Sequence, residues 1–203
     1  MRTDRVYTVF RTVIQVLAAV ALTLTLGGLA AGGYVWYLLE LSDEGDPDIG
    51  LIRENRPAVT SYVYAADGSV VGEFAIEHRR EVPYEEIPRE LRFAIMAAED
   101  KSFLTHHGFD VSGIFRAAKK NLEAGRIVAG GSTITQQLAK LVFFSAERSF
   151  ERKIMELRAA RAIERSFSKK EIFTVYANLA YFGHGQYGVA AAARYYFDKN
   201  LSE

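Results

Sequence analysis

The sequence predicts a mostly α domain with one small β-hairpin at its start, carried behind a single membrane-spanning helix. Three observations predict it. Thr12 to Leu39 contains no charged residue. Apolar residues then alternate around an Asp67–Gly68 pair, the pattern of a hairpin. From Pro88 onward apolar residues recur at helical spacing almost without interruption.

The uncharged run, as a helix, spans about 42 Å at 1.5 Å per residue, more than the roughly 30 Å hydrocarbon core. Arg2, Arg5 and Arg11 precede it, while Glu40, Asp43, Glu44, Asp46 and Asp48 follow. Positive-inside logic leaves residues 1–11 in the cytoplasm and everything after the span outside. A cleaved signal peptide competes, because Gly-Leu-Ala-Ala-Gly near residue 30 suits a peptidase, but the apolar core is long for that role. The expected order is therefore an anchor over 12–39, an acidic linker over 40–59 with Pro47 and Pro57, and a domain over 60–203. In the hairpin Tyr62 and Tyr64 precede the turn, and Val70, Val71 and Phe74 follow it. Helices are expected near 88–100, 111–125, 132–144, 149–166, 169–179 and 188–197, with Gly-containing or polar breaks between them.

Composition narrows the function. Lysines and arginines equal aspartates and glutamates, so no global charge argues for nucleic acid, and the absence of cysteine removes thiol chemistry and Cys-ligated metal sites. Four histidines without HExxH-type spacing make no dedicated zinc site. Gly183, Gly185 and Gly188 match GxGxxG as a string, but a helix precedes them and no βαβ context exists. Ser166 and Lys169 match SxxK, yet no KTG follows.

Two polar constellations stand out, Glu99–Gly108 (EDKSFLTHHG) and Gly130–Lys140 (GGSTITQQLAK). Glu99 falls in the last turn of its helix, where the dipole disfavours a carboxylate and its pKa is expected to rise towards that of a working base. A plain charged helix end, Glu99–Asp100, is the alternative. Ser132 and Thr133 are good N-caps, so the next helix is expected to aim free N–H groups at an anion. Thr133, Gln137 and Lys140 share one face at i, i+4 and i+7, while Ile134, Leu138 and Leu141 suit the core. Further on, Arg148, Arg152, Lys153, Arg158, Arg161 and Arg165 outnumber Glu151, Glu156 and Glu164. Ordinary surface pairing explains such a helix in isolation. Combined with Lys140 and the free amides, the cations suggest a diphosphate site instead. His106 could contact substrate, or equally cap or pack.

Taken in order, these residues resemble the peptidoglycan glycosyltransferase domain (glycosyltransferase family 51), the polymerase module of class A penicillin-binding proteins and their monofunctional relatives. The motifs that carry the resemblance are Glu99-Asp100-x-x-Phe103-x-x-His106-x-Gly108, Gly131-Ser132-Thr133-Ile134-Thr135-Gln136-Gln137-Leu138-x-Lys140 and Arg152-Lys153-x-x-Glu156. Tyr176-x-Asn178, Tyr181-Phe-Gly183-x-Gly185-x-Tyr187-Gly188 and Tyr196-Phe-x-Lys199 continue it. The resemblance implies a lysozyme-like helical fold, lipid II as substrate and undecaprenyl diphosphate as leaving group.

By motif position Glu99 is implied as general base, with Lys140, Arg152 and Lys153 on the diphosphate and Arg148 as helper. Glu156 is implied as a second carboxylate that orients those cations or a divalent ion. Asp100, Phe103, His106, Thr133 and Gln137 are implied to bind substrate. No cofactor is demanded, though Mg or Mn is admitted. Implied partners are lipid II, the growing glycan strand, membrane lipid, and cell-wall synthesis proteins or a following transpeptidase domain, with no nucleic acid. The implied location is the bacterial cytoplasmic membrane, single-pass, with the domain on its outer, periplasmic side.

Three departures follow. Leu141 stands where the family usually has Asn, Thr174 where it usually has Glu, and the chain ends at Glu203 where relatives continue, so the C-terminal part of the domain is expected to be missing. A lysozyme-like glycan-cleaving enzyme and a non-catalytic anchored scaffold share parts of this signal.

Overall fold

A computed structural model describes residues 2–40, 47–54, 61–74, 78–144 and 149–203. The chain divides into two compact units, residues 1–44 and 45–203. In the first, α1 (Arg2–Glu40) is one continuous helix. Phe10–Tyr34 within it, with a mean hydropathy of 2.1, is long and apolar enough to cross a membrane. Its two mid-span threonine hydroxyls donate back to helix carbonyls, Thr23 to Ala19 O at 2.9 Å and Thr25 to Ala21 O at 2.8 Å. No side-chain donor there is left facing hydrocarbon by these two residues.

The second unit is mostly helical, as the sequence predicts. Strands β1 (Ser61–Tyr64) and β2 (Val70–Phe74) pair antiparallel with a bulge between Val63 and Tyr64. The turn forms where Asp67–Gly68 predicts it, with Gly68 at φ +83° and the Asp67 carboxylate accepting from Ser69 N at 2.9 Å. Helices α3 (Arg89–Glu99), α4 (Val111–Ala124), α5 (Ile134–Phe143), α6 (Phe150–Ser166), α7 (Lys169–Leu179) and α8 (Val189–Phe197) all lie within two residues of their expected bounds. Their caps explain this. Thr133 and Ser168 form capping boxes with Gln136 and Glu171, Ser149 accepts from Arg152 N, and Gly125 closes α4 in the left-handed region.

Two features were not expected. Part of the linker forms a short helix, α2 (Gly50–Glu54), because Ile52 finds a place in the core at 6% exposure. Strand β3 (His78–Arg79) also pairs in parallel with β4 (Gln186–Tyr187) inside the glycine-rich loop. Linker residues 41–46 and 55–59 lie outside the described residues.

α5 is the hub, wedged between α6 and α7. Ile134, Leu138, Ala139, Ala159, Ile163, Ile172, Phe173 and Ala177 are buried around it. Asn178 ties α7 to the segment before α3 by a reciprocal pair with Val82, its Nδ2 donating to the carbonyl at 2.9 Å and its Oδ1 accepting from the N–H at 3.0 Å. That buried clamp accounts for Asn in the Tyr176-x-Asn178 motif. Thr174, one turn earlier on α7, donates to Lys170 O at 2.7 Å.

Gly108 explains another motif position. It sits at φ +103°, and a Cβ there would lie 3.2 Å from the Ala160 carbonyl carbon and oxygen on α6. Gly108→Ala therefore combines an unfavourable backbone region with a clash against immovable main chain, and is expected to cost about 1–3 kcal/mol. A thermal midpoint within one degree of the parent protein's would contradict that packing.

Candidate active site

Glu99 is the last residue of α3 and is exposed. Its Oε2 accepts from Gln137 Nε2 at 3.0 Å, and Gln137 Oε1 accepts in turn from the Tyr176 hydroxyl at 3.2 Å. A carboxylate only accepts, so the chain has one direction: tyrosine O–H to glutamine carbonyl, glutamine N–H to glutamate. Tyr176 is buried, and burial first, then the Glu99 charge, pushes its phenol up to about 12. It stays a donor throughout the neutral range. Among the described residues the other oxygen of Glu99 has no partner.

Two clefts meet at Glu99. One, of about 560 Å³, is lined by Glu99, Gln137, Lys140, Leu141, Tyr181 and Phe182. The other, of about 800 Å³, is lined by Glu99, Lys101, Arg116, Lys120, Gly131 and Ser132. The first has an apolar, aromatic wall with one ammonium, while the second is polar and rich in cations. Lys153 reaches the rim of the second, its Nζ donating to Ser132 Oγ at 3.2 Å.

Glu156 sits behind that rim, 3% exposed, between two cations. Arg152 Nε stands 3.2 Å from its Oε1 and Lys153 Nζ 2.9 Å from its Oε2. Helical spacing of i+4 and i+3 puts both cations on the same face as the carboxylate. Its role in the geometry is to hold Lys153 towards Ser132.

Several residues expected to contact substrate make internal contacts in the domain. Phe103 is 1% exposed and packs on Phe173, and His106 is turned inward with its Nε2 2.7 Å from Asp100 Oδ2. Neither lines a cleft with Glu99. Thr133 uses its hydroxyl twice, donating to Gly108 O at 2.7 Å and accepting from Gln136 N at 3.1 Å. Thr133 and Asp100 are among the residues that line the larger cleft.

Two main-chain amides at the start of α5 are occupied. Ile134 N donates to Asp100 Oδ2 at 3.0 Å, and Thr133 N to Gln136 Oε1 at 3.0 Å. The anion at Ile134 N is the chain's own Asp100 carboxylate. Leu141 is 45% exposed in the smaller cleft rather than in the core, one position past the buried stripe. Thr174 lines neither cleft, so its departure from the usual Glu does not reach Glu99. Arg148 lies outside the described residues.

Lys101, Arg116, Lys120, Tyr181 and Phe182 were missed as cleft residues. Arg116 and Lys120 are four apart on α4, a visible signal, but equally the signature of a solvated face. A metal cradle does not fit the donors present. Among the described residues no three His, Asp or Glu side chains form a group that could hold a metal ion, both Glu156 oxygens face cations, and Asp100 is spent on Ile134 and His106.

A family model described as Transglycosylase matches residues 67–203. The chain belongs to this transglycosylase family. It is 48% identical over 157 residues to penicillin-binding protein 1A of Aquifex aeolicus (strain VF5), covering 77% of this chain and 22% of that protein. It is 39% identical over 175 residues to penicillin-binding protein 4 of Bacillus subtilis (strain 168), covering 85% and 28%. Penicillin-binding protein 1A of Escherichia coli (strain K12) is 39% identical over 175 residues, covering 86% and 21%. The chain thus spans between about a fifth and three tenths of these relatives. Transglycosylase membership matches the glycosyltransferase resemblance of the motifs and the mostly helical architecture.

Proposed function

We propose that this transglycosylase domain polymerises lipid II into glycan strands and releases undecaprenyl diphosphate. The observation that carries the reading is Glu99, with one oxygen uncommitted, at the junction of two clefts that each contain cations. Gln137 holds Oε2, so Oε1 is the oxygen that takes the proton of an acceptor 4-hydroxyl. The acceptor oxygen then bonds to the donor's anomeric carbon as the bond to the diphosphate breaks, with inversion. The leaving diphosphate gains charge in the transition state, and fixed cations act most strongly there. Lys140, Lys153 and Arg152 supply that charge, and Glu156 keeps the last two in place. Mg or Mn would reach the site on the diphosphate oxygens rather than on a protein cradle.

The uncharged α1 segment supports membrane attachment, and the arginines before it support an outer-side domain. α4 and the loop after it add exposed Phe115, Leu122 and Ile127 among Lys119, Lys120 and Arg126, a composition suited to an anionic lipid surface. The growing strand and other cell-wall synthesis proteins are the proposed further partners.

Full-chain protein incubated with lipid II is expected to yield polymer and to leave finished glycan strands uncut. Shortening of strands without polymerisation would overturn the proposal in favour of glycan cleavage. Lys140→Ala removes a charge-assisted contact of about 1.5–3 kcal/mol, so kcat/KM for lipid II is expected to fall roughly 10–100-fold. A variant with unchanged KM and rate would take Lys140 out of the site.

A further inference from the structure

Glu164 on α6 and Lys169 on α7 are assigned nothing by the mechanism, line neither cleft at Glu99, and yet form a partly buried ion pair at 2.6 Å. Their contacts lead back to the base. Lys169 Nζ also donates to the His106 carbonyl at 2.7 Å and lies 4.7 Å above the Phe103 ring. Glu164 Oε1 accepts a further bond from Thr135 Oγ1 at 2.6 Å on α5. His106 Nδ1 accepts from Gly108 N at 3.1 Å, so its proton is on Nε2, which donates to Asp100 Oδ2 at 2.7 Å. Asp100, the residue after Glu99, is then locked to Ile134 N at 3.0 Å.

The 100–108 loop is therefore held at its start by Asp100 and at its far end by Lys169, with His106 joining the two. The Asp100, His106 and Glu164 side chains are 3%, 6% and 5% exposed. Apolar side chains of similar volume would stabilise such a site as well or better. What a fully bonded polar network supplies is one geometry rather than several. That geometry fixes the end of α3.

We infer that Glu164 and Lys169 are positioning residues for Glu99, acting through the His106–Asp100 bridge. The inference rests on the reading of Glu99 as base. Its function is orientation, because a displacement of about 1 Å at a reacting group can cost on the order of 10²-fold in rate.

The test uses the full chain with lipid II. Lys169→Met keeps the length and the contact with Phe103 but loses the donor. Its kcat is expected to fall roughly 10–100-fold with KM unchanged, and amide exchange of residues 101–108 to quicken. Lys169→Arg, which restores a donor and the charge, is expected to recover part of kcat. Should Lys169→Met fail to fold, Thr135→Val removes one donor from Glu164 at similar shape, and a several-fold loss of kcat at constant KM is expected. Folded variants with parental kcat overturn the inference, as does a loss confined to KM. Glu99→Gln measured alongside separates the two ideas. If it turns over normally the base reading fails, whereas quickened exchange at 101–108 with unchanged kcat in Lys169→Met sinks the positioning role alone.

Discussion

Glu99→Gln is expected to lower the rate of lipid II polymerisation by about 10²–10⁴-fold, the usual contribution of a positioned general base. The substitution changes one atom's protonation chemistry and almost nothing else. Glu99 is exposed at a helix end, and its single side-chain bond is accepted from Gln137 at 3.0 Å. An amide oxygen can still accept that bond, so folding stability is expected to stay within about 0.5 kcal/mol. Turnover and thermal midpoint must be read on the same preparation. A large rate loss with an unchanged midpoint assigns the base, whereas unchanged turnover removes Glu99 from the chemistry.

The elements were legible in the sequence because their signals are local. The hairpin follows from alternation around a turn dipeptide, and each of the six domain helices carries its own period and its own stop or cap. The charged centre was half legible. Glu99, Gln137 and Lys140 do share a cleft, since i, i+3 spacing on α5 places the latter two on one side. What was not legible were partners distant in sequence. Ser132–Thr133 predicts an anion at the start of α5, and one is there, but it is Asp100 from a loop 34 residues earlier. Phe103 and His106 belong to the same polar motif as Glu99, yet the chain turns them inward after Asp100, and no periodicity records that turn. Leu141 matched the apolar stripe by spacing, and only the position of α7 shows that the stripe stops being covered at Leu138. The β3–β4 pair joins two-residue segments more than a hundred positions apart, too short for any pattern to register.

Glu156→Gln tests whether the second carboxylate works through its cations. Its side chain is 4% exposed, against 17% for Arg152 and 44% for Lys153. Removing one member of a buried pair leaves an uncompensated charge and costs about 3–5 kcal/mol. The lower end applies here, because Lys153 can swing into water while Arg152 cannot do so freely. For a unit of this size about 3 kcal/mol corresponds to a fall of roughly 6–12 °C in thermal midpoint. Lys153, no longer held towards Ser132, would meet the diphosphate from many orientations, and kcat/KM is expected to fall about 10²-fold. A second substitution separates the two effects. Adding Lys153→Met to Glu156→Gln removes the stranded ammonium and is expected to recover part of the stability by coupling within the pair. It restores no charge beside the larger cleft, so activity should stay low. If stability and activity returned together, Glu156 would serve the fold alone, and Lys153 would have no part in stabilising the departing diphosphate.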